Sequence, residues 1–366
     1  IALEGLYLQA AGMDFQRPEA PSNTEKSALE AFFEAMHGRR WRDLAGWLGR
    51  KGTANVRGVS PFFCHPWCWT GVECGIGTVQ GLSLPGNQLQ GVIPGPAIAK
   101  LTGLVTLDLS DNEIEGSLPA ELGKLVHLQT LRLAVTKVEG PIPASFGNLT
   151  GLRELDLSSG GLSGEIPPSL GECSKLNVLN LSHNHFKGAI PPELGMLHGL
   201  RQLSLGQNQL TGAIPDSFHG LVRLRELNLS CNSLKGTIPP WVGELTSLQR
   251  LLLDHNRLYG RLPRSVEHLG NLEVLHLQLN RLSGKVPRGL GKLTNLRVIN
   301  MSSNELGGKV PPELGNLTKL VGLELGYNHI TGPLPKELGR LARLADFHVL
   351  EGCPSYSLPL PRGFKR

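Results

Sequence analysis

The chain has 366 residues, of which 40% are hydrophobic, 18% charged and 5% aromatic, and its formal net charge is +5. Gly (46) and Pro (26) make up about a fifth of it, which excludes a coiled coil or a plain helical bundle, because both residues break helix interiors. The apolar content excludes wholesale disorder, and the mild basic excess, lying wholly beyond residue 78 and in no Lys/Arg block, gives no reason to expect a nucleic-acid partner.

Residues 1–21 fit neither of the patterns that follow; Pro18 and Pro21 mark them as an unplaced segment or linker. The chain starts at Ile1 without a basic and then apolar leader, and reads as a processed or truncated piece. No run of 18 apolar residues occurs, so no membrane span is expected within it. Residues 22–78 read as a helical cap rich in Cys and Trp. Ser22–Asn23–Thr24–Glu25 fits a capping box. Leu29, Phe32, Phe33 and Met36 then fall on one helical face, and Gly38 is a suitable stop. Trp41, Trp47, Trp67 and Trp69 follow and are expected to cover the first coil of what comes next.

From Val79 a repeat dominates. A leucine recurs every 24 residues from Leu104 to Leu344, and with a 25-residue unit from Val79 this makes eleven repeats over 79–343. A partial repeat and tail occupy 344–366, with a lone Cys353. Each unit reads LxxLxLxxNxLxGxIPxxLGxLxx. Leu179 and Leu181 alternate with period two and point inward from a short strand. Asn184 can satisfy backbone groups of the next turn, Gly188 allows a bend, and Pro191 ends strand pairing. The ladder Asn recurs at 87, 112, 184, 208, 232, 256, 280, 304 and 328 but is replaced by Thr136 and Gly160, so a weaker ladder is expected in repeats three and four. One unit cannot bury its own leucines, so the stack must form for any unit to be stable.

These units resemble the plant-type leucine-rich repeat family of receptor-like kinase ectodomains and polygalacturonase-inhibitor-like proteins, over residues 24–352. The most specific sign is the GxIP element, from Gly91–Val92–Ile93–Pro94 to Gly332–Pro333–Leu334–Pro335. The resemblance implies an α/β repeat solenoid: a right-handed superhelix with a concave parallel β-sheet, short helical turns on the convex side and a helical N-terminal cap. The cap's usual ending appears as Cys68–Trp69–Thr70–Gly71–Val72–Glu73–Cys74, with one residue fewer between the cysteines and an extra Cys64. Cys74 is thus expected to pair with Cys64 or Cys68. A metal site from Cys64, His65, Cys68 and Cys74, or reduced thiols, are the alternatives. Cys173 reads as a core thiol and Cys231 as a free thiol at the concave rim.

No phosphate-binding loop, HExxH, GxSxG or kinase signature occurs, so no catalytic residue, cofactor or metal is expected here; a kinase beyond these residues stays open. Function is then expected on the solvent-facing residues of the concave strands. The strand centres read Asp108, Arg132, Asp156, Asn180, Ser204, Asn228, Leu252, His276, Asn300, Glu324 and His348. Arg153, Arg201 and Arg225 among Glu154, Asp156 and Glu226 suggest a mixed-charge face on repeats four to seven. On repeats eight, nine and eleven, Arg250, Leu252, Asp254, His255, His276, Gln278, Leu279, Glu324 and Tyr327 form the expected ligand-binding patch, with both leucines exposed among polar groups as at an interface core. Sequons at Asn148, Asn180, Asn228, Asn300 and Asn316 are candidate glycan acceptors. The resemblance implies a non-catalytic module at the cell surface or outside the cell, recognising a protein, peptide or glycan and admitting a co-receptor. A secreted inhibitor of a wall-degrading enzyme and a cytoplasmic scaffold are the alternatives.

Overall fold

The computed structural model describes residues 22–43, 70–75 and 78–349. A 13-stranded sheet runs the length of the molecule, one strand per coil in sequence order, starting from the cap strand Val72–Cys74. That first strand is antiparallel to Val79–Ser83, and the remaining pairs are parallel. Register is strict: Leu155, Leu179, Leu203 and Leu227 pair in turn. The inward leucines stack into one continuous core, with Leu179, Leu181, Leu194 and Leu197 all at 0% exposure. The coils are numbered 1 to 11 from Val79.

The segment after the ladder Asn is itself a strand, which the expected bend at Gly188 did not anticipate. Such strands form a six-stranded and a five-stranded sheet beside the main one. Backbone bonds from Ser233 N–H to Leu210 O and from Lys235 N–H to Gly212 O, both 2.8 Å, bridge the two. Gly188 lies within a strand at φ +82°, a conformation that side-chain-bearing residues rarely adopt. Proline then ends the strand and precedes a 3₁₀ turn on the convex side, as at Pro191 before Pro192–Met196. These turns pack closely. A Cβ on Gly171 would lie 2.5 Å from Glu193 O of the next coil. His219 and Glu267 stand where most coils have this glycine. Beside His219, Trp241 packs edge-on against Phe218 at 6.4 Å and its Nε1–H donates to Asp216 Oδ1 at 3.2 Å.

The ladder asparagines carry the coil-to-coil polar bonding. Asn256 Nδ2–H donates to Leu229 O of the preceding coil (2.9 Å) and to Leu253 O (3.2 Å) and Asp254 O (3.1 Å) of its own, while Oδ1 accepts from Leu234 N–H (3.0 Å). To close this loop, the residue before each Asn from coil 2 onward takes a left-handed conformation, with φ between 52° and 56°. That costs a non-glycine residue roughly 1–2 kcal/mol, which the four Asn bonds at about 1 kcal/mol each can offset. In coil 3 the offset is missing. Thr136 makes the single side-chain bond to Leu133 O (2.9 Å), yet the β-branched Val135 before it still sits at φ +56°. Gly160 in coil 4 has no side chain to give. The ladder is therefore interrupted at the two coils expected.

At the N-terminal end, helix α1 (Asn23–Ala35) has the expected capping box, Glu25 N–H to Ser22 Oγ and Ser22 N–H to Glu25 Oε2, both 3.3 Å. Glu25 Oε1 also accepts from the Thr78 hydroxyl (2.6 Å) and Val79 N–H (3.2 Å), tying cap to coil 1. His37, at φ +51°, takes the left-handed turn that was expected of Gly38; Gly38 is buried where a Cβ would strike the Phe33 ring. Trp41 is buried edge-on to Phe33 and donates Nε1–H to Met36 O at 2.8 Å. Trp47, Trp67 and Trp69 lie outside the described residues, as do 1–21 and the tail from residue 350. Cys74 is disulfide-bonded, and the choice between Cys64 and Cys68 falls outside the described residues.

Two substitutions test the ladder with opposite signs. Asn256→Ala leaves the Leu234 amide and three carbonyls without their partner and should destabilise by about 1–3 kcal/mol. Val135→Asn relieves a β-branched left-handed residue and should stabilise by about 1 kcal/mol. Native-state hydrogen exchange of the flanking amides checks both, since repeat arrays need not unfold in one step.

Candidate functional site

All coils share one backbone, so any site must come from side chains on the long sheet and on the left-handed corner beside it. In five coils the strand centre is closed by its own sequence. Asp108, Asp156, Asn180, Asn228 and Asn300 each accept, through Oδ1, the N–H and the hydroxyl of the serine two residues on, the hydroxyl bonds being 2.7–2.8 Å. This pairing engages the Oδ1 of each, and the second oxygens of Asp108 and Asp156 accept from Arg132 and Asn180. Coils 1, 3, 6, 8, 9 and 11 lack the pairing; of these, coil 8 carries Leu252 and Asp254 and coil 9 carries His276 and Gln278 at the two positions.

The expected patch is brought together in part. Arg250 Nε lies 3.5 Å from Glu226 Oε2 on the neighbouring strand. Leu252, His276, Asn300 and Glu324 pair in consecutive register, and Asn300 Nδ2–H donates to Glu324 Oε2 at 2.8 Å. Two placements need correction. Leu252 is only 8% exposed, because on an inward-curved sheet the columns to either side close over a branched central side chain. Asp254 is equally buried, its Oδ2 bonded to His255 Nδ1 at 2.9 Å. The exposed apolar groups are instead on the left-handed corners: Leu279 (46%) and Tyr327 (58%). Gln278 Oε1 is buried without a hydrogen-bond partner.

Burial pushes the His276 imidazole below its ordinary value; nearby Asp254 and Glu324 work against that shift and Arg250 with it. Burial, with Asp254 adding, raises the Cys231 thiol, and burial raises that of Cys173 to about 11. Cys173 is a core group, bonded to Phe146 O at 3.3 Å. Cys231 is free, and the structure places it against the patch: its Sγ and donor atoms of Asp254 and His255 lie within 4.8 Å of one another. Taken alone in the sequence, Cys231 gave no sign of this. The signal was its position, one 24-residue period before His255.

The mixed-charge face is real but centred earlier than expected. Arg132 forks onto Glu154 at 2.7 and 2.8 Å and reaches Asp108 at 3.4 Å, and Glu154 raises its pKa. Beside it, where the ladder is interrupted, Asp111, Glu113, Val135, Thr136 and Lys137 line an open groove of about 440 Å³. Of the sequon asparagines, Asn148 and Asn316 are exposed at the ends of convex turns. Asn180 and Asn300 are half-buried with Nδ2 engaged by Asp156 and Glu324, and Asn228 is half-buried on the same sheet. Among the described residues no helix is long and apolar enough to cross a membrane.

Stacked coils that each give one strand to a long concave sheet, with an Asn ladder between them, define a leucine-rich-repeat solenoid. A family model described as a leucine-rich repeat region matches residues 161–309 and 192–363, together more than half the chain, and a single Leucine Rich Repeat model matches 103–125. The chain belongs to the leucine-rich repeat family. It is similar to a probable inactive receptor kinase of Arabidopsis thaliana, RLK902, being 41% identical over 101 residues that cover 27% of this chain and 13% of that protein. Among solved structures, the plant peptide hormone receptor RGFR1 in complex with RGF2 is 35% identical with a TM-score of 0.67, over 72% of this chain and 46% of that one. A plant ice-binding protein is 30% identical with a TM-score of 0.70, over 87% of this chain and 98% of that one. The chain thus spans a minor part of the receptor kinase and under half of the hormone receptor.

The lowered His276 carries a sign that can be checked. A histidine harder to protonate when folded leaves the unfolded state binding more protons, so stability should fall as pH drops through the ordinary value near 6.5 towards the folded one. His276→Gln should flatten that loss in chemical-denaturation curves taken on either side of this pH. Arg250→Gln should raise the His276 midpoint read by NMR, and an unchanged midpoint would remove Arg250 from its environment.

Proposed function

We propose that this chain is a non-catalytic recognition module that binds a peptide or an extended protein segment along the concave sheet of coils 8 to 11. The observation that carries the proposal is the surface of coils 8, 9 and 11. No Asp/Asn–Ser pair closes the strand centre there, His276 and Gln278 stand near Arg250, and Leu279 and Tyr327 are exposed at 46% and 58%. Polar groups beside exposed apolar ones are what a partner's backbone and side chains can use. Strands at a spacing of about 4.8 Å let several coils act on one extended ligand. The likeness to RGFR1, a peptide hormone receptor, and to PEPR1 in complex with AtPEP1 (32% identical, TM-score 0.56) supports a peptide as the ligand class.

We place the module outside the cell or at its surface, as its receptor-kinase relatives suggest, with the disulfide at Cys74 in keeping. Asn148 and Asn316, on the convex side, are then the glycan acceptors compatible with an open concave face. A co-receptor would engage the complex beyond these coils.

Because Leu252 is buried, the test uses the two exposed corners. Peptides are selected from a random display library on the immobilised chain and then titrated against wild type and the Leu279→Asp/Tyr327→Ala variant. Binding should fall at least about tenfold, as expected for loss of interface anchors, with the unfolding midpoint nearly unchanged. Selected peptides that bind both forms equally would refute this assignment of the site.

A further inference from the structure

We propose that Cys231, Asp254 and His255 form a binding site for a divalent transition-metal cation of the Zn²⁺ class at the concave rim of coils 7 and 8. Thiolate, imidazole and carboxylate are the donor set that Zn²⁺ and Co²⁺ favour and that Mg²⁺ and Ca²⁺ do not. The donor atoms already lie within 4.8 Å of one another. Zinc bonds of about 2.0–2.3 Å place tetrahedral donors roughly 3.3–3.7 Å apart, so closing the site needs only a small side-chain adjustment, for which half-exposed His255 has room. Cys231 and His255 are equivalent residues of adjacent coils, both held in the left-handed corner at φ 52° and 53°. Cys231 N–H donates to Asp254 O and His255 N–H to Gln278 O, each at 2.9 Å. The backbone presenting the donors is therefore set before any cation arrives, which lowers the ordering cost of binding.

His255 Nδ1 and Asp254 Oδ2 lie 2.9 Å apart, so the two groups already converge on one point. In the tautomer with the proton on Nε2, Nδ1 and Oδ2 both present lone pairs to a cation seated between them and Cys231 Sγ. On binding, the Cys231 S–H bond breaks, an S–metal bond forms with the sulfur's electron pair, and the proton leaves to solvent. Thiolate and carboxylate then neutralise the cation's two charges. In the same column as Asp254, one coil further on, Gln278 Oε1 is buried without a partner, an oxygen able to bind a metal-held water in the fourth position.

The chain, stripped of metal by chelation, is dialysed against Zn²⁺ alone and, in parallel, Co²⁺ alone. Wild type should retain one equivalent more than Cys231→Ser and show a thiolate-to-cobalt charge-transfer band that this variant loses. His255→Ala should weaken Zn²⁺ binding about tenfold or more, and Cys173→Ser should change nothing. Equal retention by wild type and Cys231→Ser, whether both hold zinc elsewhere or neither does, overturns the site. Should a variant misfold, the rate of Cys231 alkylation in wild type decides: Zn²⁺ should slow it severalfold, and an unchanged rate refutes ligation.

Discussion

The structure depends on the amide of a buried or half-buried asparagine repeated at nine of the eleven turns of the solenoid. One leucine-bearing coil has no inside of its own; it acquires one only when a neighbour covers it. The hydrophobic contribution would tolerate sliding between coils, since leucine on leucine is much the same at any offset. The ladder asparagine does not, because it bonds carbonyls of its own coil and of the coil before and accepts an amide proton, as Asn256 does. Register follows, and with it a left-handed residue ahead of each Asn from coil 2 onward. That residue is an obligatory display position. The constraint that locks the stack also pushes one side chain per coil, among them His255, Leu279 and Tyr327, outward at the edge of the concave sheet.

Given a constant backbone, the chain varies its surface by varying how much of its hydrogen-bonding capacity it spends on itself. Coils whose centres pair Asp or Asn with the following Ser satisfy the central Oδ1 within their own strand. Coils 8 and 9 leave a half-buried imidazole, a buried unpartnered amide oxygen and a carboxylate bonded to a neighbouring histidine. Coils 3 and 4 depart in a different way, by losing the ladder side chain next to the open groove at Val135, while their strands keep register. The first departure concentrates polar groups beside apolar surface; the second removes polar bonds between coils.

Much of this was legible in the residues. The 24-residue leucine spacing, the Asn column with its gaps at Thr136 and Gly160, the capping box at Ser22 and the buried Cys173 all express one local rule each, and a single rule can be read from a single sequence. What was not legible depends on two elements at once. The second strand in each coil exists because the glycine segment of one coil pairs with the residues after the ladder position of the next, as Gly188 does with Leu210. Leu252 looks exposed from its own strand and is buried by the columns beside it. His37 takes the left-handed turn at the helix end because Gly38 is wedged against Phe33. Cys231 joins Asp254 and His255 only once coil 7 is stacked on coil 8 with fixed register.

The central claim is that recognition is confined to coils 8 to 11 of a continuous stack. It is tested most directly by the hydrogen-exchange footprint of a selected peptide on the intact chain. New protection should fall on the strands Arg250–Leu252, Val274–His276, Val298–Asn300 and Gly322–Glu324 and on the corners beside them. Protection centred on the convex 3₁₀ turns, or on the groove of coils 1 to 4, would contradict it.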